Sequence, residues 1–100
     1  MKQVDIYRIR THGTVRHYLG AAYPGVYLTL REINVIQMLS LGVNRDIAMH
    51  LGISKRTLES YIEVIRRKLG CRNKKQLIVF AMVTGLLNQI TLSLADKEDE

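Results

Sequence analysis

One hundred residues, 47% of them hydrophobic, support one modest core and exclude a multi-domain enzyme. The formal charge of +6 favours a polyanionic partner, with nucleic acid or an anionic membrane surface as the candidates. A lone Cys71 excludes an internal disulfide, fits a reducing cytoplasm, and with His12, His17 and His50 makes no common ligand spacing, so neither metal nor cofactor is expected.

The first ten residues alternate charge with apolar side chains and lack the apolar core of a secretion signal. Val4, Ile6 and the stretch from Tyr7 to Ile9 suggest a short strand, and Arg16 to Ala22 a helical turn. Pro24-Gly25 is a turn signal, and it places the boundary of an N-terminal arm, residues 1–27.

From Thr29 the punctuation sharpens. Thr29-Leu30-Arg31-Glu32 is a capping box, in which the threonine oxygen accepts a free amide while the glutamate reaches back to the cap. The helix it opens is predicted over 30–41, with Ile33, Ile36 and Leu39 facing inward, Leu30 on the flank and Gly42 as the left-handed stop. Asn44 is expected to cap a second, two-turn helix with Ile47, Ala48 and Leu51 inward, ended by Gly52. Ser54 caps a third helix, whose Leu58, Ile62, Ile65 and Leu69 form one narrow stripe before Gly70. Asn73 and Gln76 make another cap pair, and a fourth helix runs to Thr84 or Leu87.

The fold expected is therefore all-α, four helices with a short N-terminal extension. The second and third helices, joined through Gly52 with small Ala48 one turn earlier, fit a helix-turn-helix over 44–69. Its second helix would project into the major groove of duplex DNA.

Stepping residues by 100° with the apolar stripe inward turns Arg56, Ser60, Glu63 and Arg67 outward, with Glu59 and Val64 on the flanks. Those six are the candidate base readers. Arginine grips guanine, glutamate accepts from cytosine, serine serves several bases and valine meets a thymine methyl. For Glu63 an ion pair with Arg67, at i, i+4, is an equal alternative. Lys55, Thr57, Tyr61, Arg66, Lys68, Arg72, Lys74 and Lys75, with Thr29 and Asn44 at the helix starts, are the candidate phosphate contacts.

The longest apolar run, Leu77 to Val83, is far too short for a bilayer of ~30 Å. It is apolar all round, whereas an edge helix of a small domain should keep a wet face. Val79, Met82, Val83 and Leu86 are accordingly expected to pair two copies, unless the arm or the segment 86–94 covers them. A two-fold dimer would bind an inverted repeat with half-sites about one turn of DNA apart. Residues 29–85 carry ten cations against four anions, while the end, Asp96-Lys97-Glu98-Asp99-Glu100, is acidic and expected to be solvated, within a tail over 88–100.

The runs Leu28-Thr29-Leu30-Arg31-Glu32, Gly42, Ile47-Ala48, Leu51-Gly52-Ile53-Ser54, Thr57-Leu58-Glu59-Ser60 and Arg67-Lys68-Leu69-Gly70-Cys71-Arg72-Asn73 closely resemble the LuxR/GerE-type helix-turn-helix domain, over roughly residues 28–87. The resemblance implies a four-helix domain of a bacterial transcriptional regulator, base contact from the Glu59, Ser60 and Glu63 face, phosphate contact from Lys55, Thr57 and the basic end of the third helix, and dimerisation through the fourth. It departs from the family at Tyr61, where histidine is common, and at Glu63, where a basic or small residue is common. Most members attach this domain to a phosphoacceptor or ligand-binding module of on the order of 100 residues, which 28 residues cannot supply. The chain thus reads as a stand-alone domain or a fragment.

Two further readings compete with a DNA-binding regulator. One is a module that keeps the fold and binds another regulator or RNA polymerase through the apolar fourth helix. The other, an enzyme, finds no nucleophile, base and orienting group to support it.

Overall fold

The two-residue turn His12-Gly13, with φ of 51° and 81°, sets the N-terminal architecture. Positive φ at both central positions twists a hairpin in the sense that its strands require. In the computed structural model, which describes residues 1–90, this turn joins β1 (Tyr7–Thr11) to β2 (Thr14–Tyr18), and β2 pairs in turn with β3 (Tyr27–Leu28). All three strands run antiparallel in the order β1-β2-β3.

This sheet corrects the all-α expectation, and β2 replaces the helical turn expected from Arg16. The physical reason is a period of two: His17 and Leu19 are buried, Arg16 is exposed, and His17 lies opposite the buried Leu28. One sheet face closes on the helices, while the other carries Tyr7, Tyr18 and Tyr27 in cross-strand register.

Four helices follow: α1 (Leu30–Leu39), α2 (Asn44–Leu51), α3 (Lys55–Leu69) and α4 (Lys74–Val83). Helix α4 closes at Thr84, the nearer of the two ends expected, and after the left-handed Gly85 a fifth helix, α5, covers 86–90 of the described residues. The acidic tail expected over 88–100 lies outside the described residues from 91 onward.

Both halves of the Thr29 capping box form, with the Thr29 hydroxyl accepting from the Glu32 amide and the Glu32 carboxylate from the Thr29 amide. Ser54 and Asn73 likewise accept from the amides of Thr57 and Gln76, but Gln76 Oε1 accepts from Arg72 instead of completing a box with Asn73. Two predicted caps differ. Helix α1 closes at Ser40 in right-handed geometry, without a left-handed Gly42, and the cap of α2 is the extended Val43, so that Asn44 is the first helical residue. Asn44 Oδ1 is engaged elsewhere, accepting from Lys74 Nζ at 2.8 Å.

The turn between α2 and α3 relies on Gly52, at φ 69° and ψ 31°. In that geometry the amides of Gly52 and Ile53 both reach the carbonyl of the buried Ala48, closing the α2 end before Ser54 starts the next helix. Val35, Ile36, Ile47, Leu58, Ile65 and Leu77 fill the centre of the core, which continues into the N-terminal segment through Val4, Leu19 and Leu28. Gln89 clamps that segment, accepting from the Ile6 amide at 2.9 Å and donating to the Val4 carbonyl at 2.6 Å. The Val4 amide in turn donates to the Thr84 carbonyl at 2.9 Å.

Candidate nucleic-acid interface

Helix α3 divides cleanly by face. Leu58, Ile62 and Ile65 are buried, whereas Arg56, Glu59, Ser60, Glu63, Val64 and Arg67 are all exposed. The six candidate base readers thus share one solvent-facing surface, held on a 15-residue helix whose two ends are capped by Ser54 and the left-handed Gly70.

Charge on that surface is internally balanced. Arg67 Nη2 lies 2.6 Å from Glu63 Oε1, and Lys55 Nζ lies 4.0 Å from Glu59 Oε1. Both pairs are well exposed, so each contributes less than about 1 kcal/mol to stability and dissolves readily when a stronger partner arrives. Arg56 has no carboxylate partner among the described residues. Ser60 Oγ donates to the Arg56 carbonyl at 3.2 Å, which leaves its oxygen free to accept.

Beside this face, a groove of about 450 Å³ separates α3 from the start of α1, lined by Thr29, Arg31, Thr57, Ser60, Tyr61 and Val64 among others. Arg31 was absent from the expected site, although an arginine directly before the capping-box Glu32 was a usable signal.

The candidate phosphate contacts separate into two groups. Lys55, Thr57, Arg72 and Lys75 are exposed. Arg66 Nη1 donates to the Cys71 carbonyl at 3.2 Å, Lys74 is tied to Asn44, and Tyr61 is half-buried against the core. Lys68 is turned further inward, donating to Glu32 Oε1 at 2.7 Å and the Tyr27 carbonyl at 3.2 Å, with its ammonium 4.6 Å from the centre of the Tyr27 ring. Sequence spacing could not reveal these partners, because the Lys68 to Glu32 and Lys74 to Asn44 contacts bridge 36 and 30 residues.

On α4, Val79, Met82 and Val83 are exposed while Leu77, Phe80 and Ala81 are buried. Leu86, the fourth residue expected at a dimer contact, is 0% exposed and belongs to the chain's own core. Its burial follows from the break at Thr84-Gly85, which turns the chain back over the N-terminal segment.

Burial pushes the Cys71 thiol up, against a smaller opposing pull from Arg66. A hydrogen bond with Tyr18, followed by the influence of Tyr27, holds the Arg16 guanidinium still more firmly charged. Among the described residues no three His, Cys, Asp or Glu side chains gather as a metal site, and no helix is long and apolar enough to cross a membrane.

Comparison with known proteins finds the same kind of domain. Residues 26–81 match the luxR family of bacterial regulatory proteins. The probable transcriptional regulator ycf29 of Porphyra purpurea is 33% identical over 66 residues, covering 65% of this chain and 32% of its own. The transcriptional activator protein ExaE of Pseudomonas putida is 39% identical over 61 residues, 60% of this chain and 28% of its own. Among solved structures, a phage VqmA–DPO complex superposes with a TM-score of 0.59 at 45% identity, over 64% of this chain and 30% of that one. The Vibrio cholerae VqmA dimer, determined in the absence of target DNA, gives 0.57 at 32% identity, over 68% and 35%. The matched region thus spans about a third of the length of these relatives.

Proposed function

The chain belongs to the luxR family of bacterial regulatory proteins and holds the DNA-binding domain of its transcriptional regulators, and from that premise we propose that it binds duplex DNA sequence-specifically with α3 in the major groove. The observation that carries this reading is the exposed polar face of α3 opposite its buried Leu58, Ile62 and Ile65.

Arg56 and Arg67 then supply guanine contacts, each worth ~1–3 kcal/mol of discrimination. Ser60 and Val64 read neighbouring positions, and Glu59 and Glu63 accept from cytosine amino groups once their cations turn to the DNA. Lys55, Thr57, Arg72 and Lys75 fix register through phosphates. The DNA-binding unit is residues 28–87, between the arm 1–27 and the segment 88–100, with Val4 and Leu19 of the arm and Ile90 of α5 packed into its core. Two copies meet through Val79, Met82 and Val83 and bind an inverted repeat. This work needs no enzymatic step and takes place in the bacterial cytoplasm, where the DNA lies.

The exposed Val79, Met82 and Val83 surface also favours a second reading, an adaptor that binds another regulator or RNA polymerase. Salt separates the two. In a fluorescence-anisotropy titration, groove binding loses affinity with a slope of about −0.9 per phosphate neutralised. Affinity for duplex that is absent at low ionic strength overturns the first reading.

A further inference from the structure

One face of the sheet is a tyrosine row bearing Arg16, which the helix-turn-helix does not account for. Cross-strand partners point to the same side of a sheet, so the register places Tyr7, Tyr18 and Tyr27 in one row, with Arg16 beside them opposite Ile9. The rings touch in sequence: Tyr7 stacks on Tyr18 at 5.3 Å with 10° between planes, and Tyr18 meets Tyr27 at 5.5 Å. Tyr27 then receives two cations, Arg16 at 4.5 Å and Lys68 at 4.6 Å from its ring centre.

Lys68 belongs to α3 and also lines the groove beside the recognition face. The tyrosine row is therefore continuous with the proposed DNA surface, one aromatic ring removed from it. Resting on proposed groove binding by α3, we propose that this sheet face is a second DNA contact, in which Arg16 and the hydroxyls of the tyrosine row grip the phosphate backbone flanking the major-groove site.

The chemistry favours an extended polyanion as the occupant. On this face Arg16 is exposed and pairs with no carboxylate among the described residues, while Arg8 and Arg10 lie on the other face of the sheet. Arg8 and Arg10 line the open β1 edge, so a second copy adding there would bring like charges together. Duplex DNA carries one charge per ~1.7 Å of axis, so a surface adjoining α3 meets phosphates wherever the duplex continues past the site. Arginine and tyrosine are both common phosphate donors. Stacking on Tyr27 holds the guanidinium in place beforehand, which lowers the ordering cost of the contact.

The test is binding of the full chain to its selected duplex with long or trimmed flanks, together with phosphate-ethylation interference. Wild-type protein is expected to lose affinity when the flanks are trimmed and to show interference at backbone positions outside the major-groove footprint. Arg16→Gln should erase those outer positions and lower the salt slope by about 0.9 per phosphate lost, while Arg8→Gln, on the opposite sheet face, leaves the outer positions in place. Wild-type interference confined to the inner footprint overturns the proposal without any variant being needed. So does a folded Arg16→Gln protein, verified by circular dichroism, that keeps the wild-type pattern. Failure of wild-type protein to bind any duplex overturns the α3 reading and this one with it; binding by α3 without outer contacts overturns only the hairpin's role.

Discussion

Lys68 Nζ approaches Glu32 Oε1 to 2.7 Å, and the same carboxylate oxygen accepts the Thr29 amide at 2.9 Å. One oxygen thereby ties the start of α1 to the end of α3. Glu32 is buried and the Lys68 side chain is 27% exposed, so the pair is shielded from solvent in a way that the pairs on the groove face are not. This link joins α1 to α3 across 36 residues of sequence.

Replacing Lys68 by Met strands the buried Glu32 carboxylate. Loss of one partner of a buried pair costs ~3–5 kcal/mol, and the partial exposure of Lys68 places this case at the lower end. Glu32→Gln, which keeps an acceptor for the Thr29 amide, should cost less. Urea unfolding checks both, and equal stability of Lys68→Met and wild-type protein would contradict the assigned role.

Arg56 and Lys75 are exposed cations with different expected tasks. Arg56→Ala should lower affinity for the preferred site by about 1–3 kcal/mol while changing random-duplex binding little. Lys75→Ala should weaken both alike, because phosphates carry no sequence. Competition binding with specific and random duplexes measures the difference, and identical ratios for the two variants would remove Arg56 from base reading.

Met82 is 63% exposed on an apolar face of α4. If that face joins two copies, Met82→Glu places a charge in each half of the interface and should give monomers with unchanged helicity. Sedimentation velocity reads the mass directly. A wild-type chain that is monomeric at every concentration, or a variant that still dimerises, would exclude the assignment.

Gly20 has φ +100°, and a Cβ there would meet the Asp5 carbonyl oxygen at 2.8 Å. Gly25, also at positive φ, has open space around the same position. Gly20→Ala should therefore destabilise by more than the ~1–2 kcal/mol expected of left-handed geometry alone, and Gly25→Ala by about that amount. Thermal denaturation of the two proteins gives the comparison; equal losses would show that the approach of Asp5 is unimportant.

Burial raises the Cys71 thiol, so its thiolate is scarcer in the folded chain than in the unfolded one. The sign follows: the protonated thiol is the form that folding favours, and this stability is present below the unfolded pKa and falls as pH rises through it. Alkylation by iodoacetamide should be slow in native protein and fast in denaturant. Comparable rates at alkaline pH would place the thiol in solvent.

Local chemistry was legible in the sequence. Thr29 with Glu32, Ser54, Gly52, Gly70 and the Leu58-Ile62-Ile65 stripe act within one or two helical turns, and each appears where spacing placed it. The hairpin escaped because His12-Gly13 is a short signal and its five-residue strands bury little surface on β1. The inward turn of Lys68, the Asn44 contact and the burial of Leu86 escaped for another reason. Each depends on segments far apart in the chain, and no spacing rule carries that information.

The most direct test of α3 as a reader of DNA is selection of bound duplexes from a random pool by the purified chain, followed by sequencing. Groove reading predicts an enriched inverted repeat with half-sites about one helical turn apart, lost on substitution of Arg56 and Arg67. A pool that stays random after repeated selection at low ionic strength would contradict it.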